Sequence, residues 1–226
     1  MSVEEKMLTV IERLLAQGNV DLDALQLESK IKLNLLLEIM CNLPLEVKDG
    51  RVVVVDKAEL ILKSWEMGFN ILELAFRSGW KDFEKLCARI LERNGYRTLT
   101  NFRFKNHDAR YEVDVLAFSK PRVLIIDCKR WTRLRGGGIR KAALLQRERG
   151  VALSGALWTL RLLQSEVKGW SEARIIPVLV NIHESPFKLH EGVPIVPINK
   201  LSEFLNELDA YEEDICSFTV KFPRLL

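Results

Sequence analysis

Asp127, Cys128 and Lys129 close the run Val123-Leu124-Ile125-Ile126-Asp127-Cys128-Lys129-Arg130-Trp131, which is apolar at its start and charged at its end. Side chains alternate across a strand with period two. One face therefore presents Val123, Ile125, Asp127, Lys129 and Trp131, and the other Leu124, Ile126 and Cys128. Both faces begin apolar, which marks a central, buried strand. An acid and a lysine at its far end are costly to bury unless something uses them. The plainer reading is an ion pair at an exposed strand end. The preceding run, residues 111–118, repeats the anomaly and sets Glu112 and Asp114 on one face with Leu116 and Phe118. Residues 119–122 (Ser-Lys-Pro-Arg) form a short turn, so the two strands are expected as antiparallel neighbours, with Asp114 close to Asp127. Carboxylates held that near repel each other, and a divalent cation relieves the repulsion.

The elements that position these residues follow from pattern. A helix is expected over residues 82–93, closed by Asn94-Gly95, followed by strands at 96–104, 111–118 and 123–131. Residues 139–167 read as mostly helical, with a break near Gly150 or Gly155. Strands follow at 174–181 and 193–198, and Asn199 is placed to cap a last helix through residue 208. Strands and helices mixed at this spacing indicate an α/β domain with a mixed sheet.

Residues 1–55 differ in pattern. Met7, Val10, Ile11, Leu14 and Leu15 make a helical stripe, Asp21 caps a short second helix, and a third spans 32–42. Lys48-Asp49-Gly50 between Leu45–Val47 and Arg51–Val55 is a hairpin signal. Three helices and a hairpin in this order resemble a winged helix-turn-helix domain. The third helix offers Leu33, Leu35, Leu36, Leu37, Ile39 and Met40 but few polar side chains. It suits packing or a subunit interface better than reading base edges. Residues 56–77 are expected to form a helical linker, and the second domain spans 78–226.

Asp114, then Asp127-Cys128-Lys129 after a hairpin, resembles the D…(D/E)XK signature of PD-(D/E)XK restriction-endonuclease-like nucleases. The helix with Phe83-Glu84, followed by Asn94-Gly95-Tyr96 and a strand, resembles the Mrr-like and archaeal Holliday-junction-resolvase branches. Val113 stands where the family name has a proline, a position that varies in the family. The resemblance implies a restriction-endonuclease-like core with a mixed central sheet flanked by helices. It implies that Asp114 and Asp127 bind Mg²⁺, for which Mn²⁺ can substitute, with the Cys128 carbonyl as a further ligand. Glu84 completes the site directly or through water, and Glu112 is an alternative to it. Lys129 orients and activates the attacking water, and Gln146 is the helix glutamine near the active site. Residue types agree independently: phosphodiester hydrolysis needs a metal against developing phosphate charge, and a cation beside the nucleophile serves the same end.

The chain of 226 residues is 48% hydrophobic and 29% charged, with 34 Lys+Arg, 31 Asp+Glu and a net charge of +3. That balance is too mild to prove a nucleic-acid partner by itself. Its distribution says more. Arg130, Arg133, Arg135, Arg140, Lys141, Arg147 and Arg149 crowd around Gly136-Gly137-Gly138, with Glu148 as the single acid. A basic loop beside Lys129 is suited to gripping phosphates; a solvated helix face is the plainer alternative. Cys41, Cys87, Cys128 and Cys216 are scattered, which argues against a zinc site or a disulfide framework. His107, His183 and His190 have no partner at useful spacing and read as surface residues. No run reaches the about 18 apolar residues needed to span a bilayer, so a cytoplasmic, soluble protein is expected. The reading is a metal-dependent DNA endonuclease, dimeric if both strands are cut together. A non-catalytic DNA-binding protein on the same fold, and a nuclease acting on RNA, are the alternatives.

Overall fold

The computed structural model describes residues 2–131 and 136–222. The chain divides into two compact units, Met1–Leu86 and Cys87–Leu226.

In the first unit, α1 (Val3–Gln17) starts at Ser2, whose hydroxyl accepts from Glu5 N while the Glu5 carboxylate accepts from Ser2 N. This capping box satisfies two orphan helix donors. Its stripe of Val10, Ile11, Leu14 and Leu15 is buried. β1 (Asn19–Asp21) leads into α2 (Leu22–Ser29), with Asp21 as the N-cap. α3 (Leu33–Cys41) and the hairpin of β2 (Leu45–Lys48) and β3 (Arg51–Val54) follow. Asp49 and Gly50 both take positive φ, 50° and 72°, as a two-residue hairpin turn requires. β1 pairs with β3, an addition the sequence pattern does not show, giving the sheet order β1-β3-β2. α4 (Lys57–Glu66) and α5 (Ile71–Arg77) complete this region, and the division between units falls within α6 (Trp80–Arg93).

The second unit is a mixed sheet with helices. Its strands are β4 (Arg97–Asn106), β5 (Ala109–Ser119), β6 (Arg122–Lys129), β7 (Glu172–Asn181), β8 (Leu189–His190), β9 (Val193–Pro197) and β10 (Phe218–Lys221). The order is β4-β5-β6-β7-β9-β8, with β10 on β7. β4, β5 and β6 are antiparallel, whereas β6-β7 and β7-β9 are parallel. β6 is central, and every residue from Val123 to Cys128 is buried. α7 (Gly136–Ala156) packs Ala152, Leu153 and Ala156 on Leu116, Phe118, Val123 and Ile125.

The long helical stretch runs through Gly150 and is interrupted next to Gly155, as expected: α7 ends at Ala156, and α8 (Arg161–Glu166) starts after a turn. An added Cβ at Gly150 would lie 2.5 Å from the Phe218 ring, so the glycine lets β10 approach the helix. Two other expectations are corrected. Asn199 does not cap the last helix, since it lies inside a 3₁₀ turn (Ile198–Lys200) that runs straight into α9 (Leu201–Asn206). β6 ends at Lys129, because Trp131 N–H bonds to the Asn181 side chain instead of a neighbouring strand.

Candidate active site

The hairpin that carries the acids is in regular register from Ser119↔Arg122 to Val115↔Ile126, and there the ladder stops. On the other side of β5, pairing with β4 runs on both sides of Asp114 but skips Asn101, whose φ is +53°. The core cluster holds Leu116 and Phe118 together with Val113, and takes in Leu99 with Phe102 and Phe104. Strict alternation therefore slips by one residue at Asn101 and Asp114. The expectation that Glu112, Asp114, Leu116 and Phe118 share one face is corrected on that account.

The slip releases the Asp114 carboxylate from the sheet surface. Its Oδ2 accepts from Cys128 N–H at 2.7 Å, in the place where the ladder has ended. Asp114 is thereby tied to the strand of Asp127 and Lys129, which are buried and half-buried. Lys129 Nζ lies 2.7 Å from Asp127 Oδ2. The contact is one of charge, since Oδ2 has no aligned hydrogen bond. Arg149 Nη1 lies 3.2 Å from Asp127 Oδ1. One buried carboxylate is thus flanked by two cations, which offsets its desolvation.

Gln146 and Arg149 come from the same side of α7. The fully buried Gln146 amide donates from Nε2 to Ile125 O at 2.7 Å and Val178 O at 3.2 Å, tying the helix to β6 and β7. Its Oε1 accepts from Arg149 Nη1 at 2.9 Å. Gln146, Arg149 and Asp127 form one connected row. The sequence groups Arg149 with the phosphate-gripping cations; the one signal for its contact with Asp127 is its three-residue spacing from Gln146. Asn181, 1% exposed, stands in register with Lys129 and holds Trp131 N–H at 3.2 Å. A polar residue ending the apolar run Ile175–Val180 is the cue that could have found it.

On the opposite face, burial pushes the Cys128 thiol well above its ordinary pKa. The Cys87 thiol, hydrogen-bonded to it, and the charges of Asp114 and Asp127 act in the same direction. The thiol is neutral, and the group that residue 128 can offer a cation is its carbonyl oxygen. Glu84, on α6 in the other unit, is 5% exposed and accepts from Trp80 Nε1. Glu112 is an exposed partner of Arg103 at 3.1 Å. Of the basic segment, Arg130 is half-buried, Arg140 lies over the Phe187 ring at 5.4 Å, Lys141 is exposed and Arg147 pairs with Glu191 at 3.3 Å. Arg133 and Arg135 fall outside the described residues.

Among the described residues no group of three or more His, Cys, Asp or Glu side chains gathers to hold a metal. Two carboxylates and a carbonyl nevertheless fit a magnesium-like cation, which keeps several waters and uses one or two protein carboxylates. The hydrogen-bond-deficient Asp127 Oδ2 is a donor such an ion can take.

A mixed sheet with paired acids and a lysine at the end of its central strand defines a restriction-endonuclease-like nuclease. Residues 76–173 match the restriction endonuclease family of Mrr-type catalytic domains. An uncharacterized protein of Archaeoglobus fulgidus is 33% identical over 137 residues, 58% of this chain and 93% of that one. The chain belongs to this restriction endonuclease family, whose members generally use divalent metals. Two solved structures overlap loosely. One is the protein of unknown function AF1548, at 18% identity and a TM-score of 0.36, with 56% of this chain and 65% of that one covered. The other is protein VC1899 from Vibrio cholerae, at 15% identity and a TM-score of 0.33, with 94% of this chain and 57% of that one covered. The chain thus spans less than two thirds of either protein, and at these TM-scores neither bears on fold or function. No helix among the described residues is long and apolar enough to cross a membrane.

Proposed function

We propose that the protein is a Mg²⁺-dependent endonuclease that hydrolyses DNA phosphodiester bonds. The observation that carries this is Asp127: a buried acid touching Lys129 at the end of the central strand, with Asp114 bound to the intervening amide. When bound, the cation supplies positive charge against the phosphate and a lower pKa for water. Asp114, Asp127 and the Cys128 carbonyl would hold it. Asp114 orients its carboxylate through Cys128 N–H. Lys129 places an ammonium beside the nucleophile and the developing charge. Gln146 fixes the strand and, through Arg149, the rotamer of Asp127. Arg130, Arg133, Arg135, Arg140 and Lys141 grip backbone phosphates.

The amino-terminal unit is winged-helix-like and serves packing or association; Leu33 and Leu35 of α3 are exposed, which favours an interface. A symmetric homodimer in the cytoplasm brings two sites to one duplex. Branched or flapped DNA is a candidate substrate.

The test is incubation with duplex, single-stranded, flap and four-way DNA and with RNA, in Mg²⁺, Mn²⁺ or EDTA. Cleavage of DNA in either metal, absent in EDTA, is expected. Asp127→Ala and Lys129→Ala should each abolish it, with circular dichroism and duplex affinity near wild type. Metal-independent cleavage, or wild-type turnover in both variants, would sink the assignment.

A further inference from the structure

The β4–β5 hairpin carries a feature that folding does not account for. Its register sets Lys105 opposite Arg110 and Arg103 opposite Glu112. All four are exposed, and Arg103 is 75% exposed in its side chain. Like charges directly opposite each other on a strand pair are destabilising. Neither Lys105 nor Arg110 makes an ion pair among the described residues. The acids nearby are Glu112, which pairs with Arg103, and Asp108 in the His107-Asp108 turn.

The other side of the same ribbon is built to be rigid. Phe102, Phe104 and Tyr111 stack in series, at 5.9 and 5.1 Å between ring centroids, and join the core cluster of α7 and the central strands. Three cations therefore stand on a preorganised base. From Arg110 to Asp114 the strand advances four residues, about 13 Å at the usual rise. The cross-strand steps lead from Lys105–Arg110 through Arg103–Glu112 to the level of Asn101 and Asp114, where the sheet opens at the candidate metal site.

We propose that this hairpin is a second phosphate-contacting surface, along which Arg103, Lys105 and Arg110 hold the backbone of a DNA duplex and lead it to Asp114. A phosphate between Lys105 and Arg110 relieves their repulsion. A second phosphate takes Arg103 from Glu112, because an exposed ion pair of that kind is weak. The duplex is B-form DNA: a two-stranded ribbon fits its wide major groove, whereas the deep, narrow major groove of A-form RNA excludes one. This inference rests on the nuclease reading and extends it to residues outside the basic segment 130–149.

The test measures the full chain binding a short DNA duplex in EDTA, by fluorescence anisotropy over a salt series. Combining Arg103→Ala, Lys105→Ala and Arg110→Ala should flatten the slope of log affinity against log salt by up to ~0.9 per lost contact. Glu112→Gln should tighten binding, because it leaves Arg103 to the phosphate. Lys105→Ala alone should melt no lower than wild type without DNA, which separates a binding defect from a folding defect. An unchanged slope in the combined variant, with wild-type binding intact, would overturn the inference and leave the nuclease reading standing. The same slope loss on an RNA duplex bound equally well would overturn the choice of DNA. Failure of the wild type to bind or cut any DNA would overturn the nuclease reading and this inference with it.

Discussion

Cys128 sits between the two residues assigned the chemistry, yet its side chain points away from them. The thiol is fully buried, hydrogen-bonded to Cys87, and held protonated well above the ordinary thiol range by burial first and by that bond second. A folded pKa above the unfolded value means that the folded state keeps the proton more tightly. The stability this adds is complete below the unfolded value of about 8.5 and is lost as pH rises through the folded value. Unfolding free energy should therefore decline from about pH 8.5 upward, and Cys128→Ala should remove that decline at a cost of about 1 kcal/mol at neutral pH. Denaturant titrations at several pH values read both effects. Cleavage should survive in Cys128→Ala because the ligand proposed from this position is the backbone carbonyl; its loss would move the thiol into the reaction. Residue types alone made Asp114, Asp127 and Lys129 legible, since charge at the end of an apolar strand is costly to bury without a use for it. The contact of Arg149 with Asp127 was barely legible, because only its three-residue spacing from Gln146 sets it apart from the other clustered arginines.

Elements were legible where one local rule decided them. The Asp49-Gly50 hairpin, the Asp21 cap and the helix closed by Asn94-Gly95 each follow from backbone chemistry within a few residues. The misses are tertiary. β10 and β8 are short strands defined by their partners, and the slip at Asn101 and Asp114 depends on two strands at once. Gly150 is the clearest case: by sequence a helix breaker, in the fold a mid-helix residue under the Phe218 ring. Gly150→Ala improves helix propensity by about 0.8–1 kcal/mol, but its Cβ would overlap Phe218 at 2.5 Å. Overpacking of this sort costs about 1–3 kcal/mol, so net destabilisation is expected. Phe218→Ala in the same chain should remove the overlap and expose the helix gain. A double-mutant cycle measured by denaturant unfolding shows this as a favourable coupling between the two substitutions. Strict additivity would mean that Gly150 is not where β10 and α7 meet.

Across the whole molecule the charge balance is close to even, at +3, so no global excess of positive charge accounts for a nucleic-acid partner. The proposed function has to come from local arrangement, and the most local part of it is the pair of acids at the parting of β5 and β6. A cation held there binds the folded chain and not the unfolded one, because the unfolded chain does not bring Asp114 to Asp127. Such a ligand stabilises by about 2.7 kcal/mol at one hundred times its dissociation constant. For a chain of this size each kcal/mol is worth about 2–4 °C. Saturating Mg²⁺ or Mn²⁺ should thus raise the melting temperature of the transition that reports the large sheet by about 5–11 °C, and EDTA should reverse it. Asp114→Asn removes one negative ligand while keeping an oxygen that can accept from Cys128 N–H, so the metal-free melting point should move little while the metal-induced rise disappears. The readout needs no substrate and no cleavage, which separates metal binding from every later step. An Asp114→Asn chain that keeps the full metal-induced rise would place the cation elsewhere in the protein and remove Asp114 from the site.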